Sequence, residues 1–276
     1  MAVPVGRPFR VASEPWVAFR PALDAMLEPL GDAVLARLLP RTGEAALDVG
    51  CGCGTTTLEL ARMVGPTGGA TGIDTSPAVL EVPRAEAARQ GVRHATFVRG
   101  DAGTYPFAGD AYDVVFSRFG TIFFDEAGAA FANLRRALRP GGRLGFVCWR
   151  GVADNPWTTV PRDAAHALVP LPPPPPPDAP GPFSLADADR IADLLGHAGF
   201  VDVAITPHDQ PLLIGRGDLD EAVEFYLRLL PTGYLLFEPD RHMLDRLKVA
   251  LHRALGRHHG PGGLLLGSGS WIVTAR

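Results

Sequence analysis

Short apolar runs alternate with amphipathic stretches along the middle of the chain. Runs with the length and composition of β-strands lie at residues 45–49, 70–74, 95–98, 112–117 and 143–149. Apolar residues at helical spacing fill segments between them, at 55–64, 77–90 and 125–138. Residues 112–117 are apolar almost throughout, as in a parallel strand that is covered on both faces. The alternation predicts an α/β fold, with a mostly parallel sheet and helices on both of its faces.

The pattern continues on both sides of this region. From 15 to 39 the helical spacing is interrupted near Pro29 and Gly31, which predicts two helices before the first strand. After residue 157 the pattern predicts one amphipathic helix and two more strands, at 186–198, 200–206 and 269–275. The last of these strands is expected to pair at the edge of the sheet, which then has seven strands.

About sixty residues separate the sixth and seventh strands, too many for a structureless loop. Within them, residues 218–230 and 239–258 have amphipathic helical spacing and predict a helical lid. His258 and His259 adjoin a stretch of glycine and proline and are expected in a solvated loop. The six prolines at 172–177 predict an extended surface spacer, with a ligand for a proline-binding domain as the alternative.

These predictions divide the chain into four segments. They are an N-terminal arm with cap helices, a core that includes a proline-rich spacer at 170–182, a helical lid that shapes a substrate pocket, and the last strand of the core sheet. Their bounds are 1–40, 41–206, 207–266 and 267–276.

Composition and charge narrow the classes of function. The chain has 276 residues, of which 46% are hydrophobic, and a formal net charge of -4. The length suffices for a full core, and the acidic balance argues against nucleic acid as the main partner. No apolar run approaches the ~18 residues of a membrane span, and no early segment resembles a signal peptide. With three cysteines, too few for a disulfide framework or a zinc site, the sequence predicts a metal-free protein of the reducing cytoplasm.

The clearest chemical signal follows the first strand. Asp48 lies near the end of this strand, and three alternating glycines separate it from the next helix: Gly50, Gly52 and Gly54. Such glycines let a ligand lie on the backbone, where the free N–H groups of a first helical turn face it. The dinucleotide fingerprint has its third glycine one residue later, so the spacing favours a nucleoside with an amino-acid tail over NAD or FAD. An ordinary strand–turn–helix unit without a ligand is the other alternative.

With Asp48 two residues before the first glycine, this stretch resembles motif I of class I S-adenosyl-L-methionine (AdoMet) methyltransferases. Asp74 ends the second strand, where a carboxylate accepts both ribose hydroxyls in nucleotide-binding α/β folds. The Leu-Arg-Pro-Gly-Gly-Arg-Leu sequence at 138–144 and the Asn-Pro-Trp sequence at 155–157 resemble one branch of this class. That branch contains the ubiquinone and menaquinone methyltransferases and many natural-product enzymes. The resemblance covers residues 16–157 and implies a Rossmann-like seven-stranded sheet that binds AdoMet.

The resemblance also implies where the cofactor lies. Asp101 corresponds to an acid beside the adenine, although a simple turn-capping role explains it equally well. Residues 117–119 correspond to the segment beside the sulfonium, where Arg118 pairs with an acid or with the AdoMet carboxylate. The predicted cofactor-binding residues are Trp16, Arg20, Asp48, Gly50, Cys51, Gly52, Gly54, Asp74, Thr75, Asp101, Ala102, Ser117, Arg118 and Phe119.

Trp16 and Phe19 fit a core at helical spacing. In the alternative interpretation, their helix covers the AdoMet pocket and Arg20 reaches the methionine carboxylate.

The acceptor side of the site has weaker signals. The candidate substrate-binding residues are Trp157, Tyr226 and His242. Methyl transfer from a sulfonium is an in-line displacement that depends on placing the reactants, and a base helps only where the acceptor must lose a proton. The candidate bases are His166, Asp154 and Tyr226, and no motif identifies any of them.

The sequence thus predicts an AdoMet-dependent methyltransferase with a small-molecule acceptor of quinone or natural-product type. Two alternatives stay open. One is a cyclase or isomerase that keeps the fold and the bound AdoMet, and the other is a non-catalytic scaffold subunit. The acceptor atom and the oligomeric state are not predicted.

Overall fold

A seven-stranded sheet lies at the centre of the computed structural model, which describes residues 13–169, 175–176, 178–215, 219–229 and 240–276. The strands of the chain are β1 (Ala45–Val49), β2 (Gly69–Asp74), β3 (Ala95–Arg99), β4 (Tyr112–Arg118), β5 (Leu138–Trp149), β6 (Ala204–Asp209), β7 (Leu212–Ile214), β8 (His259–Gly260), β9 (Gly263–Leu266) and β10 (Gly269–Ala275). The large sheet has the order β3-β2-β1-β4-β5-β10-β6. The first five strands in this order, β3, β2, β1, β4 and β5, are parallel, and β10 is antiparallel to both of its neighbours. The predicted fold class is confirmed.

Helices surround this sheet and share one core with it. They are α1 (Ser13–Ala18), α2 (Arg20–Leu38), α3 (Thr55–Val64), α4 (Pro77–Gln90), α5 (Ala127–Ala137), α6 (Pro156–His166), α7 (Ala188–His197), α8 (Leu219–Leu229) and α9 (Arg241–Leu255). Phe116 on β4, Phe131 on α5 and Phe146 on β5 are completely buried. The Phe131 and Phe146 ring centroids lie 5.5 Å apart. The sequence predicts both ends of α3 and α4 correctly.

The N-terminal helices divide at a different residue from the one predicted. α2 runs without a break through Pro29 and Gly31, and the division lies at Phe19. A Cβ on Gly31 would lie 3.2 Å from Cδ of Arg118, so the glycine leaves room for that side chain along the helix. Leu30 beside it is completely buried. This burial offsets the poor helix propensity of proline and glycine, which explains why the predicted break is wrong.

The last strand also departs from the prediction. β10 lies between β5 and β6 and not at the edge of the sheet. β6 forms the edge, and it contains Pro207, which has no N–H to donate to a second neighbour. β6 begins at Ala204 and not at residue 200, because Asp202 has a left-handed backbone with a φ of 52°. Pro207 therefore indicates that β6 is the edge strand and that β10 lies between it and β5.

β5 begins earlier than predicted. Leu138, directly after α5, already pairs with Tyr112 on β4, and Arg143 pairs with Val114. The intervening residues 139–142 form an irregularity in the ladder. The turn signal of Pro-Gly-Gly therefore lies inside a strand and not before it.

The region between β6 and β10 is not purely helical. Besides α8 and α9, it contains a three-stranded sheet in the order β7-β9-β8. Buried side chains alternate along two of its strands: Leu212, Ile214, Leu264 and Leu266. His259 lies in β8 and not in a loop, and both His258 and His259 are exposed.

Several predictions fall on residues outside the described ranges. They include residues 1–12 of the predicted arm, 170–174 and 177 of the proline spacer, and the predicted lid-helix ends at 218, 230 and 239. Pro175 and Pro176 are exposed. Within the described part of the chain, no helix combines the length and the apolar character that a membrane crossing needs.

An ion pair holds the amino-terminal side of the sheet. Arg143 on β5 donates two hydrogen bonds, of 2.9 and 2.8 Å, to the carboxylate of Glu44, which directly precedes β1. The Arg41 N–H donates a third, of 2.7 Å. Burial opposes ionisation of Glu44, but these donors outweigh it and hold the pKa of the carboxyl below its ordinary value of 4.5.

We expect Glu44→Gln to lower the free energy of unfolding at pH 7 by roughly 1.5–3 kcal/mol, because charge-assisted hydrogen bonds are lost. Folding lowers this pKa, so the stabilisation is complete above the ordinary value of 4.5 and is lost as the pH falls through the folded-state pKa. Urea unfolding of both proteins from pH 7 to pH 3 measures the difference. Glu81→Gln, which breaks an exposed pair with Arg84, is the control with an expected change below ~0.5 kcal/mol. Equal losses in the two variants would contradict the prediction.

Candidate functional site

The end of β1 lies directly against the end of β4. A Cβ on Gly120 would lie 2.2 Å from the Val49 carbonyl oxygen, and one on Gly50 would lie 2.5 Å from Cα of Gly120. The Ser117 hydroxyl donates to the Val49 carbonyl at 2.8 Å and accepts from the Gly120 N–H at 3.0 Å. The two strand ends are therefore in backbone contact that only glycine permits.

The glycine loop turns away from this contact towards β2. The Gly50 and Cys51 N–H groups both donate to the Ile73 carbonyl, at 2.9 and 3.1 Å. Gly50, Gly52 and Gly54 have positive φ values of 69°, 53° and 75°. Cys51 is buried, and burial raises the pKa of its thiol. A Cβ on Gly52 would meet no atom within 4 Å, so this part of the loop is open to a ligand.

Asp48 lies beneath the loop. Only 1% of its surface is exposed, and its Oδ2 accepts hydrogen bonds from the Thr56 and Thr57 hydroxyls at 2.7 and 2.6 Å. Its Oδ1 is buried and has no hydrogen-bond partner among the described residues. Burial raises the pKa of this carboxyl, against the effect of the two hydroxyls. Asp48 fixes the first turn of α3, and its predicted contact with a cofactor stays a prediction.

Asp74 lies at the carboxyl end of β2 and faces the loop. Its Oδ2 accepts from the Gly52 N–H at 3.0 Å, and its Oδ1 accepts from the Ser76 N–H at 2.9 Å. Each carboxylate oxygen can accept a second hydrogen bond, so both retain capacity for a ligand. Thr75 beside it is exposed.

Asp101 follows β3 in a tight turn. Its carboxylate accepts from the Gly103 N–H at 2.8 Å and from the Thr104 hydroxyl at 3.4 Å, and the residue is exposed. Ala102 is buried, and its carbonyl accepts from the Asn133 amide at 3.0 Å. The turn-capping role considered for Asp101 is present, and contact with an adenine stays a prediction.

Four side chains from three elements meet beside the glycine loop. Asp24 on α2 accepts from Arg118 at the end of β4 at 2.9 Å and from the Thr55 hydroxyl at the start of α3 at 2.7 Å. Arg20 Nε lies 3.5 Å from the same carboxylate. We call Arg20, Asp24, Thr55 and Arg118 the Asp24 cluster. Of the two partners considered for Arg118, the structure provides an acid, and the sequence analysis missed that acid.

Aromatic rings lie beside the ends of β4 and β5. Phe119 stacks on Trp149 with ring centroids 4.1 Å apart, and Trp149 contacts Trp157 at 4.8 Å. The Tyr226 hydroxyl on α8 donates to the Trp157 carbonyl at 2.9 Å. Trp149 was not among the predicted site residues, although it ends β5, and open α/β sheets bind ligands at the carboxyl ends of their strands.

Asn155 connects these rings to the sheet. It is completely buried, and its Oδ1 accepts from the Trp157 indole at 2.9 Å and from the Gly269 N–H at 3.1 Å. Its Nδ2 donates to the carbonyls of Gly151 and Gly269 at 2.9 and 3.1 Å. The amide therefore fixes the indole of Trp157 relative to the end of β5 and the start of β10.

Trp16 and Phe19 pack partly buried against the main core, in agreement with the first of the two interpretations. α1, which carries Trp16, contacts both α4 and α8. The Phe19 ring contacts Phe225 on α8 at 5.5 Å, edge to face. The Trp16 Nε1 atom is buried and lacks a hydrogen-bond partner in the described structure.

The structure does not bring the candidate bases together. His166 is exposed on α6, Asp154 pairs with Arg150 at 3.0 Å, and Tyr226 is buried against the Trp157 carbonyl. The candidate substrate residue His242 is exposed on α9. Among the described residues, no group of three or more His, Cys, Asp or Glu is arranged to hold a metal ion.

The chain is similar to known methyltransferases. Residues 46–142 match a family model described as a methyltransferase domain. The nocamycin O-methyltransferase of Saccharothrix syringae is 34% identical over 61% of this chain and 58% of its own length. The demethylmenaquinone methyltransferase of Staphylococcus aureus is 40% identical over 39% of this chain and 43% of its own length. The chain thus spans about half the length of the curated relatives that it matches.

A solved structure shares the fold. The SAM dependent methyltransferase from Aquifex aeolicus superposes with a TM-score of 0.51 and 18% identity, over 74% of this chain and 92% of that one. At this identity the similarity concerns the fold alone.

We expect Gly120→Ala to destabilise the protein by about 3 kcal/mol, because the added Cβ meets the backbone of β1 and no flexible side chain can yield. Urea unfolding followed by circular dichroism measures the loss. Gly196→Ala on α7 is the matched control, since a Cβ there meets no atom within 4 Å and alanine favours a helix by about 0.5–1 kcal/mol. Similar unfolding midpoints for the two variants would show that the close contact between the strand ends is not needed.

Proposed function

We propose that this chain, which carries a class I AdoMet-dependent methyltransferase domain, transfers a methyl group from AdoMet to a small-molecule acceptor. The observation that carries the proposal is the meeting of three features at the carboxyl ends of the parallel strands. They are the open glycine loop, the Asp74 carboxylate turned towards it, and the guanidinium groups of Arg20 and Arg118. Open α/β sheets bind their ligands at the carboxyl ends of the strands.

Each part of AdoMet has a matching group at these strand ends. Asp74 retains capacity to accept both ribose hydroxyls. The first N–H groups of α3 have no acceptor inside the helix, so they and the two guanidiniums suit the carboxylate of the methionine-derived tail. We place the adenine beside Asp101 and Ala102, at the carboxyl end of the next strand.

When bound, AdoMet supplies a methyl group that is activated by the sulfonium charge and leaves a neutral thioether. The protein then needs to hold the acceptor atom and the methyl carbon in line and about 3–3.5 Å apart. Phe119 lies at the end of β4, beside the expected position of the sulfonium, and its ring supplies a face that favours a cation. No covalent bond to the protein is formed.

We place the acceptor beside Phe119, Trp149 and Trp157, under the lid helix α8. These rings are buried against one another, and aromatic side chains suit contact with a flat, largely apolar molecule. The similarity to enzymes named for nocamycin and demethylmenaquinone supports an acceptor of natural-product or quinone type. Whether carbon, oxygen or another atom receives the methyl group is left to a substrate screen.

We also propose a cytoplasmic location without nucleic acid as a partner. The three cysteines, Cys51, Cys53 and Cys148, are all free thiols, as in a reducing compartment. The net charge of -4 supplies no basic footprint.

Asp74→Ala is expected to weaken AdoMet binding by at least ~30-fold, because hydrogen bonds from two ribose hydroxyls to a charged group are lost. Isothermal titration calorimetry with AdoMet, S-adenosylhomocysteine and NADH, after removal of carried-over ligand, measures the affinities. The unchanged protein should bind the first two and not NADH. Asp193→Asn, an exposed change on α7, is the control and should leave all affinities unchanged. Undiminished AdoMet affinity in Asp74→Ala would overturn the ribose assignment, and no binding to the unchanged protein would overturn the proposed function.

The candidate bases are tested by substitution. We expect His166→Ala and Asp154→Asn to keep turnover within about twofold, because His166 is exposed on α6 and Asp154 is paired with Arg150. The loss of a true general base would cost ~10²–10⁴-fold. Turnover is measured as S-adenosylhomocysteine formed with an acceptor found in a screen of quinols and natural-product phenols. A loss of 10²-fold or more in one variant, with AdoMet affinity unchanged, would identify that residue as the base.

A further inference from the structure

The Asp24 cluster joins the N-terminal helices to the two loops of the proposed cofactor site. Asp24 lies on α2, Thr55 is the first residue of α3, and Arg118 is the last residue of β4. One carboxylate accepts hydrogen bonds from both of the latter side chains, at 2.7 and 2.9 Å. One carboxylate on α2 therefore links the start of α3 to the end of β4.

The Arg118 side chain lies along α2. Its Cδ passes within 3.2 Å of where a Cβ on Gly31 would be, and only 15% of the side chain is exposed. Gly31 and Asp24 are two helical turns apart, so they share one face of α2. This face fixes both the stem and the guanidinium of Arg118.

The charges of the cluster do not balance. Arg20 and Arg118 are both positive, and within the cluster only Asp24 opposes them. The amino terminus of α3 adds a partial positive charge. Burial raises the pKa of the Cys53 thiol in the glycine loop; the charge of Arg20 opposes this rise, and the charges of Asp24 and Asp74 add to it. Two guanidiniums and the amino terminus of a helix thus lie beside the glycine loop, where we propose that the ligand carboxylate binds.

We infer that Asp24 is a positioning residue for the methionine-derived tail of AdoMet, a role that rests on the proposed function. By accepting from both arginines, Asp24 keeps two mutually repelling guanidiniums together beside the glycine loop. Its bond to Thr55 holds the first turn of α3 in register with them. Asp24 itself contacts neither the ribose carboxylate Asp74 nor the adenine side of the site among the hydrogen bonds of the described residues.

Two ligands separate this role from a general structural one. S-adenosylhomocysteine and 5′-methylthioadenosine share adenine and ribose, but only the first carries the amino-acid tail. Asp24→Asn keeps the shape of the side chain and removes its charge. We expect this variant to bind S-adenosylhomocysteine about 10- to 100-fold more weakly and methylthioadenosine within about twofold of the unchanged protein.

Two further variants complete the calorimetric test. Asp32→Asn changes an exposed acid on the same helix and should leave both affinities unchanged. Asp24→Glu keeps the charge but moves the carboxylate by one methylene, so it should weaken S-adenosylhomocysteine less than Asp24→Asn does, again without effect on methylthioadenosine. If Asp24→Asn does not fold, Asp24→Glu carries the same selectivity test.

The outcomes separate the two proposals. If the unchanged protein binds neither AdoMet nor S-adenosylhomocysteine, the proposed function fails and this inference fails with it. If the unchanged protein binds them, but the Asp24 variants weaken both probes equally or neither, the inference alone is overturned. A loss confined to the ligand with the tail supports it.

Discussion

The backbone contact between the ends of β1 and β4 is the constraint on which the site depends. Gly50 and Gly120 approach so closely that neither position has room for a Cβ, and the Ser117 hydroxyl bonds to both strand ends. Because the contact sets where β4 ends, it also sets where Arg118 and Phe119 leave the sheet. Phe119 accepts a left-handed backbone, with a φ of 64°, to follow this path. Arg118 on the polar side of the site and Phe119 on its aromatic side are therefore both positioned by this contact.

Asp48 supports the same region from below, and at some energetic cost. A carboxylate that is almost fully buried resists ionisation, and among the described residues only one of its oxygens receives hydrogen bonds. The three threonines at 55–57 divide between two acids, with Thr55 bound to Asp24 and the next two bound to Asp48. The first turn of α3 is therefore held by side chains from α2 and β1, and its N–H groups stay available.

The central part of the fold could be predicted from the sequence because its signals are local, and the same local signals carry the prediction of where the site lies. Strand β1, the glycine loop and helix α3 occupy adjacent residues, and their resemblance to the class I methyltransferases is confirmed by the matching domain model. The Asp24 cluster could not be found in this way, since Asp24 and Arg118 are 94 residues apart and only the fold brings them together. The small sheet was missed because β7 spans only three residues and gives almost no period to detect. The position of β10 was missed because the predicted sixth strand ended at residue 206, so that Pro207 was not recognised as part of an edge strand.

The order of the last strands has a consequence for the segment that lies between β6 and β10. β6 and β10 are antiparallel neighbours, and Asp209 at the end of one is paired with Gly269 at the start of the other. The next residues, Gln210 and Ser268, are also bonded to each other, at 3.1 and 2.6 Å. The whole segment between them is thus an insertion into a β-hairpin, with both ends anchored about 5 Å apart. A change in the length of this segment therefore need not disturb the register between β6 and β10, which is fixed on the far side of the two anchoring residues.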